Sequence, residues 1–157
     1  MMANSARDPY WQASVRRETI DHPLKKAAIE DECAICHMPM ARTEARESGR
    51  VGEVLRLLPS ARLAGDEHRL AADGVACTLC HQIGSEGLGT RESFVGGFVI
   101  GRTDSAARRM FGAFEVNRGL AAVMRSATDV EPSQGDHIRS SELCATCHTL
   151  YTEAFDE

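Results

Sequence analysis

Cys33-Ala34-Ile35-Cys36-His37, Cys77-Thr78-Leu79-Cys80-His81 and Cys144-Ala145-Thr146-Cys147-His148 take up all six cysteines of the chain. Each is Cys-x-x-Cys-His, the spacing by which c-type haem is attached to protein. On a helical turn residues three apart share a face, so both thiols can reach the two vinyl groups of one porphyrin. The histidine next in line then lies under the ring and can offer its imidazole to the iron. The spacing follows from the shape of the haem, and other uses of paired cysteines fit it less well. Three pairs do not divide into four-ligand zinc sites. A thioredoxin-like motif would be single and set in a βαβ pattern, which the sequence does not display. Structural disulfides would not need a histidine after every second cysteine. The expectation is three covalent haem c groups on Cys33, Cys36, Cys77, Cys80, Cys144 and Cys147, with His37, His81 and His148 as the proximal iron ligands.

Three histidines remain, His22, His68 and His137, and each precedes a motif. Three irons each have a second axial position, so supply matches demand and all three are expected as distal ligands. Which histidine serves which haem is left open, because a distal ligand can come from a remote segment. Methionine is the rival ligand and would raise the potential. Met38 and Met40 flank Pro39 and read as pliable packing at the porphyrin edge. Met110 and Met124 stay as minor candidates.

Outward from the motifs, the chain reads as mainly α with long loops. Asp8 can cap a helix over residues 8–20 with Pro9 in its first position and Trp11, Val15 and Ile20 as its apolar stripe. It ends at His22, because Pro23 pushes the preceding residue out of the helical region. A second helix runs from Leu24 into the first motif. Shorter helical stretches are predicted over residues 50–58 and from Ala61 to Ala72, the latter carrying His68. Gly74 breaks the chain before the second motif, and residues 84–90 are a loop. Phe94–Ile100 and Arg109–Val116 are predicted as a short β-hairpin at about 94–116, in competition with a loop of apolar anchors. A helix over 119–127, a loop through Pro132 and Gly135, and a last helix capped by Ser140 or Ser141 and carrying the third motif, Tyr151 and Phe155 complete the reading.

The length of 157 residues fits one domain, here a single trihaem domain over 1–157. The formal net charge of −5 disfavours nucleic acid as a partner. No apolar run reaches the ~18 residues that span a bilayer. Sixteen of the eighteen basic residues are arginines, and Arg42, Arg69 and Arg139 are candidates to clamp haem propionates. Propionates would make the haem-loaded protein still more acidic, favouring a basic patch on a redox partner. A chain with so much porphyrin surface to fold around is expected to be largely unfolded without haem.

The three motifs, with the runs Asp73–His81 and Ser141–Leu150, resemble multihaem c-type cytochromes, in particular the group around cytochrome c554 and the hydroxylamine-oxidoreductase-like proteins. The resemblance implies a mostly helical fold dictated by haem packing, closely stacked haem pairs, and respiratory electron transfer in the periplasm or outside the cell. It implies redox proteins as partners, including other multihaem cytochromes or copies of the same chain. His37, His81 and His148 match the family's proximal ligands position by position. The opening Met1–Ser5 has no apolar h-region, so the expectation is either that a signal has been removed or that the chain belongs to a longer multihaem protein. The leading function is electron transfer through three six-coordinate haems. The alternatives are a domain of an oxidoreductase with one open iron, acting on nitrogen or sulfur oxyanions, and a wiring subunit of a filament or larger complex.

Overall fold

The computed structural model describes residues 2–58, 65–100 and 108–151. They are mostly helical, with one two-stranded sheet. Two compact units divide the chain: an N-terminal unit through Ala76 and a C-terminal unit from Cys77. The first holds one motif and the second holds two. No described helix is long and apolar enough to cross a membrane.

In the N-terminal unit, α1 spans Pro9–Asp21. The Asp8 carboxylate accepts the Tyr10 N–H at 3.0 Å, and Pro9 sits where its missing N–H costs nothing. Trp11, Val15 and Thr19 are buried, whereas Ile20 is 67% exposed. Ile20 lies nine residues from Trp11, about two and a half turns, and so comes round to the opposite side. The stripe runs on to Thr19 instead. The chain turns at His22 and Pro23 and returns as α2, Lys26–His37, which ends in the first motif. A helix unforeseen in the sequence follows: α3, Pro39–Glu47, with its proline at the first position. Met38, between α2 and α3, is 1% exposed and packs with Trp11, Val15, Ala41, Val54 and Ala71 in the core. Two short helices, α4 (Val54–Leu57) and α5 (Asp66–Ala72), close the unit. The part of the predicted 61–72 helix before Gly65 lies outside the described residues. Gly74 has φ +58, and a Cβ there would come within 3.0 Å of the Ala3 carbonyl oxygen. Only glycine fits that corner.

In the C-terminal unit, a single turn, α6 (Cys77–Cys80), carries the second motif. The predicted hairpin is not formed. Strand β1, Arg108–Gly112, pairs in parallel with β2, Val130–Gln134, and α7, Arg118–Thr128, connects them. Most of the Gly101–Arg108 connection assumed for the hairpin lies outside the described residues. Phe94–Ile100 forms no strand beyond an isolated bridge from Ile100 to Ile83. Val95 and Gly96 have positive φ, and their N–H groups donate to the Thr149 and Thr146 carbonyls at 3.2 and 2.6 Å. The segment therefore closes the end of the last helix instead of pairing as a strand. The β1–α7–β2 unit is a small βαβ pattern, which the sequence reading took to be absent. No cysteine lies on α7, however, so it is not a thioredoxin-like arrangement. Pro132 sits within β2, tolerated because a two-stranded sheet leaves one edge of each strand unpaired. The last helix, α8 (Ser141–His148), is capped by the Ser140 side chain and ends before Tyr151. Phe155 lies outside the described residues.

Candidate functional site

The first motif occupies the last turn of α2, which sets Cys33 and Cys36 one turn apart on the same helix. Three contacts fix His37 at the helix end. Its Nδ1 donates to the Ser5 carbonyl oxygen at 3.3 Å, and the Ser5 hydroxyl donates to the His37 carbonyl at 2.9 Å. The Trp11 indole stacks on its ring, with centroids 4.3 Å apart and planes 2° from parallel. A carbonyl can only accept, so Nδ1 carries the proton and Nε2 keeps its lone pair. That is the tautomer a metal needs, set by a second contact on the far nitrogen. Burial pushes the His37 pKa below its usual value, against smaller opposing effects of Ser5 and Asp8. The ring is therefore neutral near pH 7.

His81 repeats the device. Its Nδ1 lies 2.5 Å from the Phe111 carbonyl oxygen, and the Phe111 N–H donates to the His81 carbonyl at 2.6 Å. Strand β1 thus orients the second motif histidine, as the 3-10 turn Met2–Arg7 orients the first. His148 is exposed at the end of α8. All six cysteines are thiols, with Cys77 and Cys144 exposed. Burial, then Glu32, Glu18 and Glu30, pushes the Cys33 thiol up to about 11. Burial raises Cys80 as well, and the thiols of Cys147 and Cys144 add to the effect. The second and third motifs are therefore neighbours within the C-terminal unit. Among the described residues, no three or more His, Cys, Asp or Glu side chains converge as a metal cluster. Paired thiols on a helical turn beside a neutral histidine fit covalent haem.

The three spare histidines differ. His22 lies at the corner between α1 and α2, its N–H donating to the Glu18 carbonyl at 2.9 Å. His68 lies on α5, and its Nε2 is buried with no hydrogen-bond partner among the described residues. Leaving such an atom unsatisfied costs about 1–3 kcal/mol, so something is expected to bind it. His137 Nε2 lies 2.9 Å from the Ile83 carbonyl oxygen, and its ring meets Phe111 edge-on at 4.8 Å. The carbonyl again fixes the tautomer, here with the proton on Nε2. The N-terminal unit has two spare histidines for one motif, and the C-terminal unit has one for two. Met110 is half-buried on β1, and Met124 is exposed on α7. The three arginines considered for propionates all face aspartates. Arg42 forms a two-pronged pair with Asp31 at 3.0 and 3.2 Å, Arg69 pairs with Asp66, and Arg139 pairs with Asp136.

Ser5, Trp11 and Phe111 orient the motif histidines, and the sequence reading did not single them out for this. Trp11 carried a signal, as the only tryptophan and part of an apolar stripe. Ser5 and Phe111 hold the imidazole nitrogens through backbone carbonyls, which leave no mark in side-chain spacing. Comparison with protein-family models, curated proteins and solved structures finds no match.

A pH dependence follows for the haem-free N-terminal unit. Burial raises the Asp31 carboxyl, but Arg42 and the Gly52 N–H (2.6 Å) outweigh it and hold the pKa below the usual carboxylate range. His37 is also depressed. A depressed pKa contributes stability above the unfolded value and loses it as pH falls through the folded one. Stability should therefore drop first on acidification below the ordinary histidine range and again below about pH 4, the unperturbed Asp value. Urea midpoints from pH 8 to pH 3 check this, and Asp31→Asn should remove the lower step.

Proposed function

We propose that the chain is an electron-transfer c-type cytochrome resembling the cytochrome c554 and hydroxylamine-oxidoreductase-like group. Its three haems are attached at Cys33/Cys36, Cys77/Cys80 and Cys144/Cys147, with His37, His81 and His148 as proximal ligands. The observation that carries the reading is the repeated carbonyl anchor: two motif histidines have Nδ1 pinned and Nε2 left for a metal. Bound haem supplies one-electron chemistry. The protein's own part is to attach, orient and tune. The thiols would hold the haem through thioether links to its vinyl groups, the backbone carbonyls fix the imidazole planes, and the buried Trp11 keeps water from the first motif histidine. An acidic chain with added propionates would meet a partner through that partner's basic patch. Covalent attachment of this kind places the protein in the periplasm or outside the cell, and redox proteins or copies of itself are its partners.

The test is coexpression with a c-type haem attachment system, followed by intact mass and haem quantitation. Three covalent haems per chain are expected, and Cys33→Ala with Cys36→Ala should reduce them to two. A chain that returns with unmodified thiols, or with zinc, overturns the reading. One observation favours a second reading, a domain with an open iron. The C-terminal unit pairs two motifs with a single spare histidine, whose Nε2 is already engaged. Carbon monoxide binding by the reduced protein separates the two readings: none for a pure carrier, one equivalent for an open iron.

A further inference from the structure

We infer that His68, and not His22, is the second axial ligand of the iron held by the first motif; this rests on the haem reading above. His22 is nearest in sequence, but α1 and α2 form an antiparallel pair in which Trp11 stacks on His37. His22 is at the other end of that pair. From Lys26 to His37, α2 rises about 17 Å at ~1.5 Å per residue. Along α1, from Trp11 to His22, the distance is also about 17 Å by the same measure. Imidazole nitrogens bind such metals at about 2 Å, so two histidine side chains with one iron between them do not span a whole helix. His22 is excluded from the iron that His37 holds.

His68 is at the correct end. Ser5, which anchors His37, belongs to the same 3-10 segment that holds the end of α5. Arg7 Nε donates to the Ala72 carbonyl at 3.0 Å, Val75 N–H donates to the Met2 carbonyl at 3.2 Å, and Gly74 abuts Ser5. His68 is one turn before Ala72. Leu70 and Ala71 share the hydrophobic cluster that includes Cys33 and Met38. The second, independent observation is the buried Nε2 of His68, which has no hydrogen-bond partner among the described residues. A ligand atom held out of water and left unsatisfied by the protein is what a distal position requires before its metal arrives.

The experiment uses the full chain with Cys77, Cys80, Cys144 and Cys147 replaced by alanine, so that only the first motif is loaded. The ferric parent is expected to be low-spin by visible absorption and electron paramagnetic resonance. His68→Ala should convert it wholly to high spin, with low spin restored by added imidazole, while His22→Ala should leave the spectrum unchanged. His68→Met should stay low-spin with a raised potential. A high-spin parent, a low-spin His68→Ala protein, conversion by His22→Ala, or an unshifted potential in His68→Met each overturns the assignment. Absence of any haem at Cys33 and Cys36 overturns instead the functional reading beneath it.

Discussion

Replacing Trp11 by alanine is expected to destabilise the N-terminal unit by about 3–5 kcal/mol, the range for emptying a buried aromatic site. The indole is 8% exposed and touches two kinds of structure at once. It belongs to the apolar cluster with Val15, Met38 and Val54, and its ring stacks on His37. The loss is therefore packing plus the contact that fixes the first motif. A unit of this size rarely has more than about 3–5 kcal/mol from a single core, so Trp11→Ala should abolish cooperative unfolding of the haem-free unit at 25 °C. Ile20→Ala is the control. Ile20 is on the same helix but exposed, and surface substitutions usually stay within about 0.5 kcal/mol. Urea unfolding followed by circular dichroism reads both. A Trp11→Ala protein with an unchanged midpoint would show that the indole is not the centre of this core.

The contrast between Trp11 and Ile20 also shows what the sequence can convey. Helix-forming stretches were legible where local chemistry decides them: Asp8 and Pro9 start α1, Pro23 ends it, and Ser140 caps α8. The motif residues were legible because their spacing is dictated by a rigid group. Strand pairing was not. Phe94–Ile100 has the composition of a strand, yet Val95 and Gly96 spend their N–H groups on the end of α8. Val130–Gln134, polar and interrupted by Pro132, looks like a loop and yet pairs with β1. Pairing depends on which backbones meet in space, and neither composition nor period records it. The same is true of the distal histidines. Counting three histidines for three irons needs only the sequence, but whether His22 and His37 lie at one end of a helix pair or at opposite ends is a matter of packing.

Withholding haem should distinguish the two units, and this narrows the expectation that the haem-free chain is largely unfolded. The N-terminal unit has its own side-chain core, running from Ala6 through Trp11 and Met38 to Ala71. In the C-terminal unit the buried apolar side chains among the described residues are Leu79, Ile83, Pro132 and Leu143. Phe114, Leu120, Val123 and Leu150 remain at least half exposed there. That side-chain core is smaller than the one in the N-terminal unit, whereas porphyrin faces laid against the same surfaces would add apolar burial, and thioethers would tie the motifs together. Amide hydrogen exchange on reduced protein made without haem attachment should therefore show slow exchange confined to α1, α2 and α3, with α6 and α8 exchanging at rates near those of an unfolded chain. Loading haem at Cys77/Cys80 and Cys144/Cys147 should bring α6 and α8 to comparable protection. Equally slow exchange in both units before loading would mean that the C-terminal unit folds on contacts of its own, and the porphyrins would then be passengers in a finished structure.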